Sequence, residues 1–121
     1  MTSEELRIRM KLFAVRIIRL VDNLPNTASG RAISNQIIRS GTSPGANYRA
    51  ACLGKSDKDF INKLKMVEEE LDETLYWLEL IDETGVIKKK LIADLINENH
   101  ELLKIIISSI NTTKKKMSDN K

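Results

Sequence analysis

Apolar residues recur at alternating spacings of four and three along most of this chain, and this repeat restricts the fold more than any other feature. Residues at these spacings share one face of an α-helix. The same repeat runs through residues 60–81 and 92–106, and no strand-like alternation competes with it. In the first segment it is carried by Leu6, Met10, Phe13, Ile17, Leu20 and Leu24. The repeat therefore predicts an all-α protein.

Local signals divide the chain into four helical segments. The first ends at Leu24, because the residue before a proline avoids helical geometry. Ser56 is a residue type that caps helix N-termini and is predicted to begin the third segment. Gly85 is typical of a helix C-terminus and is predicted to end it. Short connections between long helices predict an antiparallel up-down-up-down four-helix bundle over residues 1–111. Residues 112–121 are polar and basic, which predicts a disordered tail.

The second segment, about residues 27–53, contains a stretch of helix-poor residues from 39 to 49. Pro44 has no amide hydrogen and its ring clashes with the carbonyl of Ser40 inside a helix. Two structures are compatible with this stretch: a loop between two short helices, or one long kinked helix. In the second, the Ser40, Thr42 and Ser43 hydroxyls would bond freed backbone carbonyls.

Composition indicates a cytoplasmic protein. The single cysteine, Cys52, cannot form an internal disulfide and fits a reducing compartment. Glu4 and Glu5 stand where a signal peptide would have a basic start. The uncharged stretch at residues 105–113 is too short to span a bilayer.

The usual catalytic and metal-binding patterns are not found. Helix-bundle di-iron sites use Glu-x-x-His motifs, whereas the one histidine here, His100, follows Asn97 at that spacing. Cys52 lacks an adjacent base, and residues 41–45 lack the lysine of a phosphate-binding loop. These observations predict a protein that is not an enzyme and needs no cofactor.

Charge is unevenly distributed, although the net charge is only +3. Residues 28–56 carry four basic and no acidic side chains, and residues 57–84 carry three basic and ten acidic ones. The acidic segment either neutralises neighbouring helices or leaves basic surface elsewhere to meet nucleic acid. Flexible lysines suit phosphates but read no sequence. The candidate nucleic-acid contacts are Arg7, Lys11, Lys88, Lys89, Lys90, Lys114, Lys115 and Lys116.

Carboxylates three and four residues apart on the third segment share a helix face. Arginine pairs well with such groups because the contact can be bidentate. We therefore predict a polar network between the second and third helices, or between subunits; the alternative is a solvated acidic face. The predicted members are Arg39, Asn47, Arg49, Glu69, Asp72 and Glu73.

Residues 37–83 resemble a bacterial family of four-helix bundles that includes proteins encoded in the intervening sequences of 23S ribosomal RNA. The family pattern couples Arg-Ser-x-x-Ser-x-x-x-Asn to a Ser-x-x-x-Phe helix start. Many members continue after the asparagine with Ile-Ala-Glu-Gly, where this chain has Tyr-Arg-Ala-Ala at residues 48–51. The matching residues here are Arg39, Ser40, Ser43, Asn47, Ser56 and Phe60.

The resemblance implies one long, kinked second helix and assembly as a ring of five subunits. It also implies a role as an accessory protein for structured RNA. Relatives include the accessory variability determinant of diversity-generating retroelements, which implies RNA and a reverse transcriptase as candidate partners. The alternative is an oligomeric scaffold or protein-interaction module with no nucleic-acid role.

Overall fold

The computed structural model describes residues 1–120, and it contains four α-helices. They are α1 (Ser3–Asp22), α2 (Ala28–Ala51), α3 (Asp57–Thr84) and α4 (Lys89–Asp119). No strand occurs among these residues. Contacts join α1 to α2, α2 to α3, α3 to α4 and α1 to α4. The all-α four-helix bundle predicted from the apolar repeat is therefore confirmed.

Side chains cap the starts of α1, α2 and α3, whereas the start of α4 has no side-chain cap. The hydroxyls of Thr2, Thr27 and Ser56 each accept a hydrogen bond from a backbone N–H three residues later, at 3.1 Å. Such bonds satisfy amides that have no partner within the helix. Gly85 ends α3 with a φ of 68°, a left-handed conformation that glycine adopts at little cost. Ser56 and Gly85 are boundary residues that the sequence predicted, whereas α1 ends at Asp22, before the predicted end at Leu24.

The core consists of the predicted apolar stripes. Five of the six stripe residues of α1 are buried, and so are Ile92, Leu95, Leu102 and Ile106 of α4. The residues of α1 that lie off the stripe have no such cover: Ile8, Leu12 and Ile18 are 55%, 59% and 42% exposed. These three apolar side chains of α1 are therefore left exposed by the bundle.

The second helix is continuous through Pro44, so the loop alternative is wrong. The Thr42 hydroxyl donates to the Ile38 carbonyl and the Ser43 hydroxyl to the Arg39 carbonyl, both at 2.6 Å. Pro44 leaves the Ser40 carbonyl without its N–H partner, but the two hydroxyls bond the carbonyls just before it in the chain, which differs from the sequence prediction. The kink itself stays a prediction.

The helix-poor stretch of α2 is the part that packs most closely on other helices. Ser40, Gly41 and Pro44 are buried. The Ser40 hydroxyl accepts a hydrogen bond from Thr74 of α3 at 3.0 Å. A Cβ added at Gly41 would lie 2.8 Å from two side-chain carbons of Ile17. Small residues here therefore let α2 contact α1 and α3 within one turn.

Polar contacts show which residues of α2 and α3 lie next to each other. Arg39 bonds Glu73, whereas Asn47, further along α2, bonds Glu70, which lies earlier on α3. A bidentate ion pair joins α1 to α4: Arg9 donates to the two carboxylate oxygens of Glu98 at 2.8 and 2.6 Å. The complete up-down-up-down order of the helices stays a prediction.

The structure differs from the sequence prediction at the C-terminal end. Residues 112–119 were predicted to be disordered, but they continue α4 to Asp119. Met117 is half-buried against the core, seven residues after the buried Ile110, so the apolar stripe extends one heptad further than predicted. The Lys116 ammonium also lies 3.5 Å from an Asp57 oxygen. Lys121 lies outside the described residues.

Asn99 interrupts the apolar stripe of α4. Its side chain is fully buried, and neither its amide nitrogen nor its oxygen has a hydrogen-bond partner within residues 1–120. An unpaired buried polar group costs about 1–3 kcal/mol. A polar residue on the seam of packed helices can fix their register at the expense of stability. An unpaired amide at Asn99 is therefore expected to lower the stability of the bundle.

Replacing Asn99 with Leu should raise the free energy of unfolding by about 1–3 kcal/mol, because it removes that unpaired amide. Thr74→Val is the matched control. Thr74 is equally buried, but its hydroxyl is bonded to Ser40 and to the Glu70 carbonyl, so its loss should cost about 1 kcal/mol. Denaturant unfolding measures both. Destabilisation by Asn99→Leu would show that the amide is satisfied in solution.

Candidate functional site

The predicted polar network exists in part, between α2 and α3. An Arg39 guanidinium nitrogen lies 2.5 Å from a Glu73 carboxylate oxygen, and the Trp77 indole N–H donates to the same oxygen at 3.1 Å. Both hydrogen bonds lower the pKa of the Glu73 carboxyl below its ordinary value, and the bond from Arg39 has the larger effect. Asn47 donates to Glu70 at 2.7 Å. The α2–α3 interface thus carries a half-exposed polar rim beside its buried core.

Three predicted members of the network lie elsewhere. Glu69 and Asp72 are exposed on the side of α3 that faces α4. Arg49 is exposed, faces α1, and makes no ion pair with α3 among the described residues. The reason is helical geometry: Arg49 is ten residues after Arg39, which turns it about 80° around the helix axis. Glu70 was missed, although its spacing of three from Glu73 indicated a shared face.

A basic groove runs between α1 and α2. We use this name for the surface lined by Arg7, Ile8, Lys11, Arg49 and their neighbours. Ile8 and three alanine or glycine residues supply its apolar part, and Glu4 is its one carboxylate. The groove has a volume of about 470 Å³. It holds three cationic side chains drawn from two helices, of which sequence analysis predicted Arg7 and Lys11 as nucleic-acid contacts.

An acidic groove of about 370 Å³ runs between α3 and α4. Its charge comes from three carboxylates and the single ammonium of Lys65. Its apolar part comes from Leu103, which is half-buried, and Ile107, which is 41% exposed. The residues that define this acidic groove are Lys65, Glu68, Glu69, Asp72, Leu103 and Ile107.

The predicted lysine contacts do not form one surface. Lys88, Lys89 and Lys90 lie at the start of α4, and Lys114, Lys115 and Lys116 lie near its end. At 1.5 Å per residue, the centres of the two groups are about 39 Å apart. The nucleic-acid role of these residues and of Arg7 and Lys11 stays a prediction.

Lys55 and Lys58 lie at one end of the bundle, and sequence analysis did not predict them as part of a basic surface. Lys58 lines a cavity with Lys114, and Lys55 lines another with Lys116. Together these four residues form what we call the terminal basic surface. Asp57 lies within it and contacts Lys116 at 3.5 Å. Lys55 and Lys58 flank the helix start at Ser56, but only the fold shows that this helix start meets the end of α4.

Metal sites and membrane-spanning helices were also sought among the described residues. Nowhere in residues 1–120 do three His, Cys, Asp or Glu side chains come together in a way that would hold a metal ion. Each helix in the described range also lacks an apolar run of the length that a bilayer requires. Cys52 is half-buried, and His100 is exposed on α4.

Comparison with known proteins identifies the family. The profile of the 23S rRNA-intervening sequence protein family matches residues 5–108, most of the chain and all or part of each helix. The chain therefore belongs to that family, as the residues of the α2–α3 motif predicted. No curated protein matches it.

A solved structure agrees with this assignment. The chain is similar to a protein of unknown function from the S23 ribosomal protein family of Bacteroides thetaiotaomicron VPI-5482, with 42% sequence identity and a TM-score of 0.81. The match covers 87% of this chain and 97% of that one.

Tyr48, directly after Asn47 of the family motif, has a raised pKa. It is 4% exposed, and burial raises its pKa to about 12, with a further contribution from the Cys52 thiol. The folded protein thus favours the neutral phenol. Because its folded pKa is above the unfolded value of about 10, Tyr48 contributes full stability below pH 10, and this contribution is lost as pH rises towards 12.

The stability advantage of the wild type over Tyr48→Phe should shrink between about pH 10 and about pH 12, by about 1.4 kcal/mol for each unit of pKa shift. Denaturant unfolding of both proteins across this range measures the change. Tyr76→Phe is the control, since Tyr76 is 56% exposed and should leave the alkaline loss intact. An unchanged difference between wild type and Tyr48→Phe would place the Tyr48 hydroxyl in contact with solvent.

Proposed function

We propose that this protein is a non-enzymatic accessory protein that binds structured RNA and acts as a ring oligomer. The observation that carries the proposal is the terminal basic surface, where Lys55 and Lys58 of the α2–α3 region meet Lys114 and Lys116 of α4. The family name, which refers to intervening sequences of 23S ribosomal RNA, supports RNA as the ligand. The predicted ring contains five subunits.

The chemistry of this surface favours phosphate contacts over base recognition. Lysine ammonium groups are flexible point charges, whereas sequence reading needs fixed donors and acceptors at base edges. The aromatic residues that could stack on bases lie elsewhere: Tyr76 and Trp77 are on α3, next to Glu73. Binding through this surface therefore depends on RNA shape and charge more than on sequence.

A single subunit offers few cations, and Asp57 and Asp59 partly neutralise them. A ring would present the same end of every subunit in one plane. Several weak contacts to one polyanion then raise the total affinity without new chemistry. In this proposal, ring assembly is a condition for useful RNA affinity.

The exposed apolar residues of α1 favour a second candidate function, an oligomeric scaffold or protein-interaction module. Ile8, Leu12 and Ile18 are exposed apolar side chains on one helix, and exposed apolar surface marks protein contacts when it is contiguous. A reverse transcriptase or another protein would be the partner. This function requires no RNA binding, which makes the two candidates distinguishable.

Two triple variants locate the RNA contact. Changing Lys55, Lys58 and Lys114 to Gln should flatten the dependence of log affinity on log salt by about 0.7–0.9 for each lost phosphate contact. Changing Lys88, Lys89 and Lys90 to Gln removes the same charge about 39 Å away. The second triple should flatten the slope less. Electrophoretic shifts with ribosomal RNA fragments at several salt concentrations measure both.

The result that would contradict RNA binding is no shift of any fragment by the wild type at low salt. Equal slopes for the wild type and for both triples would show that these lysines do not meet phosphate. A larger effect of the Lys88–Lys90 triple would move the contact to the opposite end of the bundle. Circular dichroism of each triple checks that the helices remain folded.

A further inference from the structure

The basic groove and the acidic groove have opposite charge in matching number. The basic groove has three cations and one carboxylate, and the acidic groove has three carboxylates and one ammonium. Each groove also contains an exposed isoleucine: Ile8 is 55% exposed and Ile107 is 41% exposed. Apolar surface with a charged rim of the complementary sign is the composition of a protein–protein contact.

The two grooves lie on opposite sides of the same subunit. Helix contacts follow the order α1–α2–α3–α4 around the bundle and close through α1–α4. A groove between α1 and α2 is therefore opposite a groove between α3 and α4. Two complementary faces on opposite sides allow one copy to bind the next in the same orientation.

Two facing grooves are both concave, so the contact requires an offset. A helix that borders one groove would lie in the groove of the next copy. Contact between Ile8 of one copy and Ile107 of the next would remove both from water. Burying apolar surface in this way contributes about 25 cal/mol for each Å².

Electrostatic repulsion disfavours the alternative, which is a dimer with two-fold symmetry. In a two-fold dimer the same patch meets itself. A basic groove facing its own copy would oppose three cations with three cations, and like charges across an interface disfavour association. A head-to-tail contact instead pairs opposite charges and repeats from subunit to subunit. It closes into a ring when each step also rotates the next subunit by the angle that the ring requires.

We propose that the partner of the basic groove is the acidic groove of a second copy of this chain, in a head-to-tail contact. The inference rests on the ring assembly in the proposed function and names the two surfaces that form it. Lys11 and Arg49 of one subunit face Glu69 and Asp72 of the next. Arg7 and Lys11 are then subunit contacts, which leaves RNA phosphates to the terminal basic surface.

Charge reversal tests the pairing. One variant carries Lys11→Glu with Arg49→Glu, and a second carries Glu69→Lys with Asp72→Lys. Each should lose the oligomer and give the 13.7 kDa mass of one chain in multi-angle light scattering. A third variant with all four substitutions has both grooves reversed, so opposite charges again face each other. It should recover the oligomer mass of the wild type.

The matched control is Lys89→Glu with Lys90→Glu, which changes net charge by the same amount as the first variant but lies outside both grooves. It should keep the oligomer. An equimolar mixture of the first two variants should give masses above that of one chain, because each presents the charge that the other lacks. The two variants must alternate, and alternation cannot close a ring of five, so the mixture should not recover the wild-type mass. Circular dichroism verifies that each isolated variant is helical.

Three results would overturn the pairing: unchanged mass in either two-residue variant, dissociation of the Lys89–Lys90 control, or a four-residue variant that stays monomeric. A monomeric wild type would reject both this pairing and the ring assembly of the proposed function. An oligomer that responds to charge reversal but never shifts RNA would leave this pairing standing and reject only RNA binding.

Discussion

The close contact of α2 with α1 at Gly41 is the constraint on which the rest of the structure depends. A side chain at this position would meet Ile17, which is fully buried and stiff because it is β-branched. The adjacent Ser40 bonds Thr74 on the other side of the helix. One turn of α2 therefore fixes its distance from α1 and its register on α3 together.

This placement of α2 determines where its arginines lie. With Ser40 and Gly41 held between two helices, Arg39 is directed to Glu73 on α3. Arg49, turned about 80° around the axis, is directed to the α1 side instead. One arginine thus completes an intramolecular ion pair, and the other adds to the basic groove. The helix α2 has no acidic residue. Its Arg39 forms an ion pair within the subunit, and its Arg49 forms none among the described residues.

Sequence patterns predicted most of the fold because helix periodicity and caps are local. The apolar stripe of α1, the cap at Ser56 and the stop at Gly85 each depend on residues only a few positions apart. The family motif predicted the family, and through it a single helix across Pro44.

Contacts between distant residues could not be predicted in the same way. Arg9 and Glu98 are 89 positions apart, and nothing local in either helix indicates that they form a bidentate pair. Lys55 and Lys58 join Lys114 only because the start of α3 meets the end of α4. The helical C-terminal end was missed for another reason, since Met117 continues the stripe but polar residues surround it.

Comparing Gly41→Ala with Gly45→Ala in denaturant unfolding tests the central claim most directly. Both change glycine to alanine in the same helix, which favours the helix by about 0.8–1.0 kcal/mol. At Gly45 the new Cβ would be 3.5 Å from the Met10 carbonyl oxygen, an ordinary contact, so stability should rise. At Gly41 it would be 2.8 Å from Ile17, and overpacking should lower stability by about 1–3 kcal/mol. Equal gains in both variants would contradict the account.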